Sequence, residues 1–117
     1  MGIPLRCCAV SDGRTVTGET GEITTLVIPG TSIPAGTRVH ITQVWAGLEP
    51  AQNKKIHLVI ETEGGTKLWE EFTEDEPFIS RVFFSPLRGP IGENLVINLD
   101  AQSGSTGTIS ATYFISA

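Results

Sequence analysis

The sequence predicts an all-β domain, an antiparallel sandwich of jelly-roll type, and three observations carry that prediction. Thirteen Gly and seven Pro cut the 117 residues into short pieces, too short for long helices. Between them lie β-branched segments that alternate apolar and polar side chains with a period of two. No window of helical length shows an apolar face recurring every three to four residues, and no strand–helix alternation points to a parallel sheet. The count is about eight strands with turn signals every 8–12 residues or so, the signature of a sandwich or barrel. An immunoglobulin-like sandwich is the alternative, but the Cys–Trp–Cys spacing of true immunoglobulin domains is absent.

The first strand reads as Leu5 to Val10, reaching Val16 beyond a turn at Asp12-Gly13. Glu22 to Ile28 is a second, ended by Pro29-Gly30. Thr37 to Leu48 is a long third strand on which Val39 and Ile41 share one face, and Arg38, His40 and Thr42 the other. Its parity breaks at Val44-Trp45, which predicts a β-bulge there. Lys54 to Glu61 alternates most clearly, with Ile56, Leu58 and Ile60 inward. Glu63-Gly64-Gly65-Thr66 makes a hairpin turn, with the glycine pair supplying positive φ, and Lys67 to Phe72 returns. Phe78 to Ser85 follows, closed by Pro86, and then Asn94 to Asp100, with Leu95, Ile97 and Leu99 inward. Ser103-Gly104-Ser105 turns the chain into a last strand, Thr108 to Ile115, with Ile109, Ala111, Tyr113 and Ile115 on one face. Residues 1–21 form an N-terminal arm and first strand, and residues 22–117 the sandwich.

Composition narrows the function. A chain this long can bury a core without metal or disulfide staples. Its net charge of −5, from 8 basic and 13 acidic residues, argues against nucleic acid, which needs clustered Lys and Arg. Lys54-Lys55 is the only adjacent basic pair. No apolar run approaches a membrane span, and Met1 to Val10 does not read as a signal peptide. Cys7 and Cys8 are neighbours, which on a strand point to opposite faces, so they read as two reduced thiols.

Catalytic machinery is not expected. His40 and His57 are the only imidazoles, both at outward strand positions. There is no nucleophile elbow and no phosphate-cradling loop. Two distant His and a vicinal Cys pair do not make a zinc site, so neither metal nor cofactor is expected. The acidic run Glu70, Glu71, Glu74, Asp75 and Glu76 lacks the spacing of a calcium loop. It reads as a solvated segment that guards a strand edge, or as a docking patch for a basic partner. Trp45 and Trp69 are candidates for burial at a core or subunit interface, with Trp69 placed on the exposed face beside Lys67 and Glu71. A paired sugar-stacking platform, using Trp69 and the acidic segment, is the alternative.

A longer pattern runs through the last two-thirds of the chain. It starts at Pro34-Ala35-Gly36-Thr37-Arg38-Val39-His40-Ile41 and passes the Glu63–Thr66 turn. It continues through Phe84-Ser85-Pro86-Leu87 and Gly92-Glu93-Asn94-Leu95-Val96-Ile97-Asn98-Leu99, and ends in Thr106-Gly107-Thr108-Ile109-Ser110-Ala111-Thr112-Tyr113. This resembles small β-sandwich virion proteins of tailed bacteriophages, the kind that decorate or cement heads. The resemblance implies a structural subunit that binds across capsomers, assembled in the host cytoplasm and carried on the virion. It implies the major capsid protein or another virion protein as partner, and a homo-oligomer, with a trimer the leading expectation. It carries over no catalytic residue.

Overall fold

A computed structural model describes residues 10–17, 23–49, 56–74, 76, 78–100 and 106–117. Among these described residues there are eight strands and no helix: β1 (Val10–Thr17), β2 (Ile23–Ile28), β3 (Arg38–Glu49), β4 (Ile56–Thr62), β5 (Lys67–Thr73), β6 (Phe78–Arg88), β7 (Leu95–Asp100) and β8 (Thr106–Ser116). They form two antiparallel sheets of four. Sheet A has the order β1-β8-β3-β6 and sheet B the order β2-β7-β4-β5. The pairings nest: β1 with β8, β2 with β7, β3 with β6, β4 with β5. Only β4 and β5 are consecutive partners in one sheet; every other connection passes between sheets. A nested ribbon rolled up in this way is a jelly roll, and the immunoglobulin strand order is not formed.

The central hairpin shows how local sequence sets this register. The Thr62 amide donates to the Thr66 carbonyl and the Gly65 amide to the Thr62 carbonyl, both at 2.9 Å. Gly65 takes φ +95°, where a side chain would be strained. Gly64 lacks positive φ, so one glycine rather than the expected pair carries the turn.

The core lies between the sheets. Sheet A contributes Val39, Ile41, Val44, Ala46, Leu48, Ile79, Ile109, Ala111 and Tyr113. Sheet B contributes Leu26, Ile28, Ile56, Leu58, Ile60, Leu95, Ile97 and Leu99. The six inward residues expected on β4 and β7 are all buried. Close packing shows at Gly89, where a Cβ would lie 2.7 Å from Leu95 Cδ2.

Several elements depart from the expected ones. β1 runs unbroken through Asp12 and Gly13, which pair with Ala111 and Ser110. An Asp-Gly turn needs its return strand at once, and here the ladder with β8 takes both residues. The bulge in β3 falls between Ile41 and Gln43, not at Val44-Trp45. Inward side chains therefore step from Ile41 to Val44, and Trp45 turns outward; the adjacent apolar pair disguised the break at Thr42. β6 continues past Pro86 to Arg88. The expected strand start at Leu5, the Cys7-Cys8 pair, Lys54-Lys55, Asp75 and the Ser103–Ser105 turn lie outside the described residues.

Candidate functional site: the outer face of sheet A

β6 is an edge strand of sheet A. Its inward positions are filled: Ile79 is buried, Arg81 reaches Glu71 of β5 as an ion pair, and Phe83 is half-buried. Phe83 meets Trp69 edge-on with centroids 5.6 Å apart. These contacts close one side of the sandwich between β5 and β6. They also correct the placement of Trp69, which packs against the core rather than lying exposed. The bulge between Ile60 and Glu61 lets Trp69 pair with the inward residue Ile60, which a single alternation starting at Lys67 misses.

The outward positions of β6 are apolar and uncovered. Phe78 is 43%, Val82 61% and Phe84 102% exposed. Trp45 of β3, 36% exposed, stacks against Phe78 with centroids 6.3 Å apart. Phe84 owes its position to the ladder. Ile41 pairs with Leu87 and Gln43 with Val82, so Phe83 to Pro86 all stand opposite Thr42 alone. Such an excess throws the strand out of line and re-aims a side chain. Pro86 also removes an amide from this edge.

Beyond the bulge, the same face becomes basic. Register sets Arg88, His40 and Phe114 abreast across β6, β3 and β8, and Arg38 opposite Ser116. The His40 and Phe114 rings stack at 4.5 Å and 5°. His40 Nε2 lies 3.4 Å from the Ser116 carbonyl oxygen and 3.2 Å from its hydroxyl. His40 is thus 5% exposed, against the expectation of a surface histidine: its position is outward, but Phe114 covers it. Burial lowers its pKa, partly opposed by the Ser116 carbonyl, and the charges of Arg88 and Arg38 lower it further.

Sheet B presents a different outer face. Thr25 donates to Asn98 Oδ1 and Asn98 to Glu61 Oε1, each at 2.9 Å. His57 Nδ1 lies 2.9 Å from Asp100 Oδ2, and Nε2 lies 2.5 Å from Glu70 Oε2. Lys67 donates to the other Glu70 oxygen at 2.9 Å. Burial works against protonated His57, yet hydrogen bonds to Asp100 and Glu70, and their charges, raise its pKa. Hydrogen bonds from Lys67 and then His57 lower that of Glu70. These groups tie β2, β7, β4 and β5 together and satisfy one another.

The acidic run expected as one patch is therefore divided. Glu70 belongs to the His57 network and Glu71 pairs with Arg81 across the sheets, while Glu74 and Glu76 are exposed beyond β5. Trp45 and Trp69 lie on different sheets, one outward and one against the core, so the paired sugar platform is not assembled. Among the described residues no three His, Cys, Asp or Glu are arranged to hold a metal ion. Comparison with known proteins finds no family model and no curated protein that matches the chain.

Alternation on β6 failed to flag its outward side chains because both faces are rich in apolar residues. Phe78, Val82 and Phe84 alternate with Ile79, Arg81 and Phe83, and a period of two cannot choose between the sets. The same-face pair Arg38 and His40 was legible; its meeting with Arg88 and Phe114 depends on register.

Proposed function

We propose that this chain is a structural virion protein of a tailed phage, a capsid decoration or cement subunit that stabilises the head by binding across capsomers. One observation carries the proposal: the exposed row Trp45, Phe78, Val82 and Phe84 along the edge of sheet A. Contiguous exposed apolar side chains mark contact surfaces, and aromatics dominate the centres of interfaces. The jelly roll supports the reading as a fold used by viral shell proteins, although lectin domains share it. The inward Trp69 weighs against the lectin alternative.

In this reading sheet A's outer face is the docking surface and sheet B's face remains in water. The partner is the major capsid protein or another virion protein, and the chain acts as an oligomer on the shell. Co-sedimentation with shells purified from the phage that encodes the chain tests it. The protein should pellet with shells, saturate at a fixed ratio to capsomers, and raise the temperature at which shells open. Protein left wholly in the supernatant at saturating shell concentration would overturn the proposal.

A further inference from the structure

The basic end of sheet A borders an open cavity of about 360 Å³. Arg38 and Arg88 lie on its walls, with His40 and Phe114 between them and Pro86 and Ser116 completing it. Ala117 also borders it, and its main-chain oxygen accepts a hydrogen bond from the Ser116 hydroxyl at 3.3 Å.

The charges here are out of balance. The chain has 13 acidic and only 8 basic residues, so cations should find partners easily. Arg81 and Lys67 do, on Glu71 and Glu70. Among the described residues, Arg38 and Arg88 form neither an ion pair nor a side-chain hydrogen bond. Two guanidiniums beside one cavity repel each other, and no side chain on its walls carries a negative charge to offset this. A guanidinium presents a rigid fork of donors that matches a carboxylate or phosphate in two-point contact. Phe114 and Pro86 add apolar walls, which suit the carbon portion of a ligand better than a fully hydrated inorganic ion.

We propose that this cavity is a binding site for an organic oxyanion, a carboxylate or phosphate group held between Arg38 and Arg88 with its apolar part against Phe114 and Pro86. The site stands on its own residues and does not depend on docking to a shell. Ligand and protein keep their covalent structures; association exchanges water around three charged groups for direct contacts.

Titration of the full chain, labelled with ¹⁵N and followed by NMR at low salt, tests the site without shells. The probes are benzoate, phenyl phosphate, neutral benzamide and chloride. Benzoate or phenyl phosphate should give saturable shifts centred on Arg38, Arg88 and Phe114, and benzamide and chloride should not. The tighter of the two anions assigns the group as carboxylate or phosphate. R38Q/R88Q should weaken binding more than about tenfold while keeping the wild-type amide spectrum elsewhere. Should the double variant unfold, R88Q alone, at an exposed position, should weaken binding in the same direction. Shifts that chloride reproduces, that never saturate, that centre on Lys67 or Arg81, or that persist in the variants would overturn the proposal. Those results would leave shell docking standing, just as failed co-sedimentation would leave the titration untouched.

Discussion

His57 and His40 occupy outward positions on the two sheets, and their surroundings are opposite. His57 sits between two carboxylates, Asp100 and Glu70, with Phe72 stacked on its ring at 4.1 Å. His40 sits between two arginines, covered by Phe114. Around His57 the donors and acceptors of sheet B satisfy each other from Thr25 to Lys67. Among the described residues, the face of sheet A around His40 leaves Arg38 and Arg88 without ion-pair partners and uncovers Val82 and Phe84. A face whose polar groups are paired internally gains little from a partner. A face with unpaired cations and bare rings gains from burial and from charge neutralisation. The contrast, more than the amount of apolar surface, singles out sheet A; Phe72 on sheet B is also 66% exposed, yet it already has a ring partner.

The largest expected effect is one the two faces share. Beneath sheet A, Ile41 is fully buried, and beneath sheet B, Leu58 is too. Ile41→Ala and Leu58→Ala should each cost about 2–5 kcal/mol in urea denaturation. A loss of only a few tenths at either position would mean that its strand is turned over, and the assignment of outer faces would fail with it.

Exposed rings should separate the faces. Phe84→Ser should change stability by no more than about 0.5 kcal/mol, because the side chain is fully exposed. It should weaken shell binding more than about tenfold. Phe72→Ser should show the reverse: a loss of up to about 1 kcal/mol from the stacked pair, with shell binding unchanged. Equal effects of the two substitutions on binding would erase the distinction.

The smallest effect is in pH. The folded pKa of His57 is raised above its ordinary 6.5. The folded chain therefore holds that proton more tightly, and the stability gained is complete below pH 6.5, while Asp100 and Glu70 stay ionised. It drains away as pH rises through the raised value. The pKa of His40 is lowered from 6.5, with Arg88 and Arg38 facing the ring. Its contribution is complete above 6.5 and is lost as pH falls through the lowered value. In urea midpoints between about pH 5 and 8.5, the advantage of wild type over His57→Gln should shrink as pH rises. Its advantage over His40→Gln should shrink as pH falls. Slopes of the same sign would contradict the opposite environments.

Much of the fold was legible because one-sided burial prints a period of two on the sequence. β7 shows it in its burial without a break and β4 shows it except at Val59, an outward position that is also buried, and their inward residues were identified correctly. Reading failed where the ladder is irregular. The bulge at Thr42 reverses the outer part of β3 and exposes Trp45, and the bulge beside Ile60 turns Trp69 inward. Neither β3 at Thr42 nor β4 at Ile60 carries a glycine or proline of its own at the break, and Pro86, which stands opposite Thr42, lies on the partner strand. Excess residues opposite Thr42 release Phe84, and a surplus in one strand is visible only once its partner is known. His40 was placed on the correct face but not beneath Phe114, a residue 74 positions later in the chain whose proximity is a matter of register.

Hydrogen exchange of the chain free and bound to shells, resolved by peptide, tests the central claim most directly. If sheet A's outer face is the contact surface, binding should slow exchange along β6 from Phe78 to Arg88 and in the facing part of β3. Exchange in β4 and β5, which carry His57, Glu70 and Phe72, should remain as in the free protein. Protection confined to β4 and β5, with β6 exchanging at its free rate, would contradict the account.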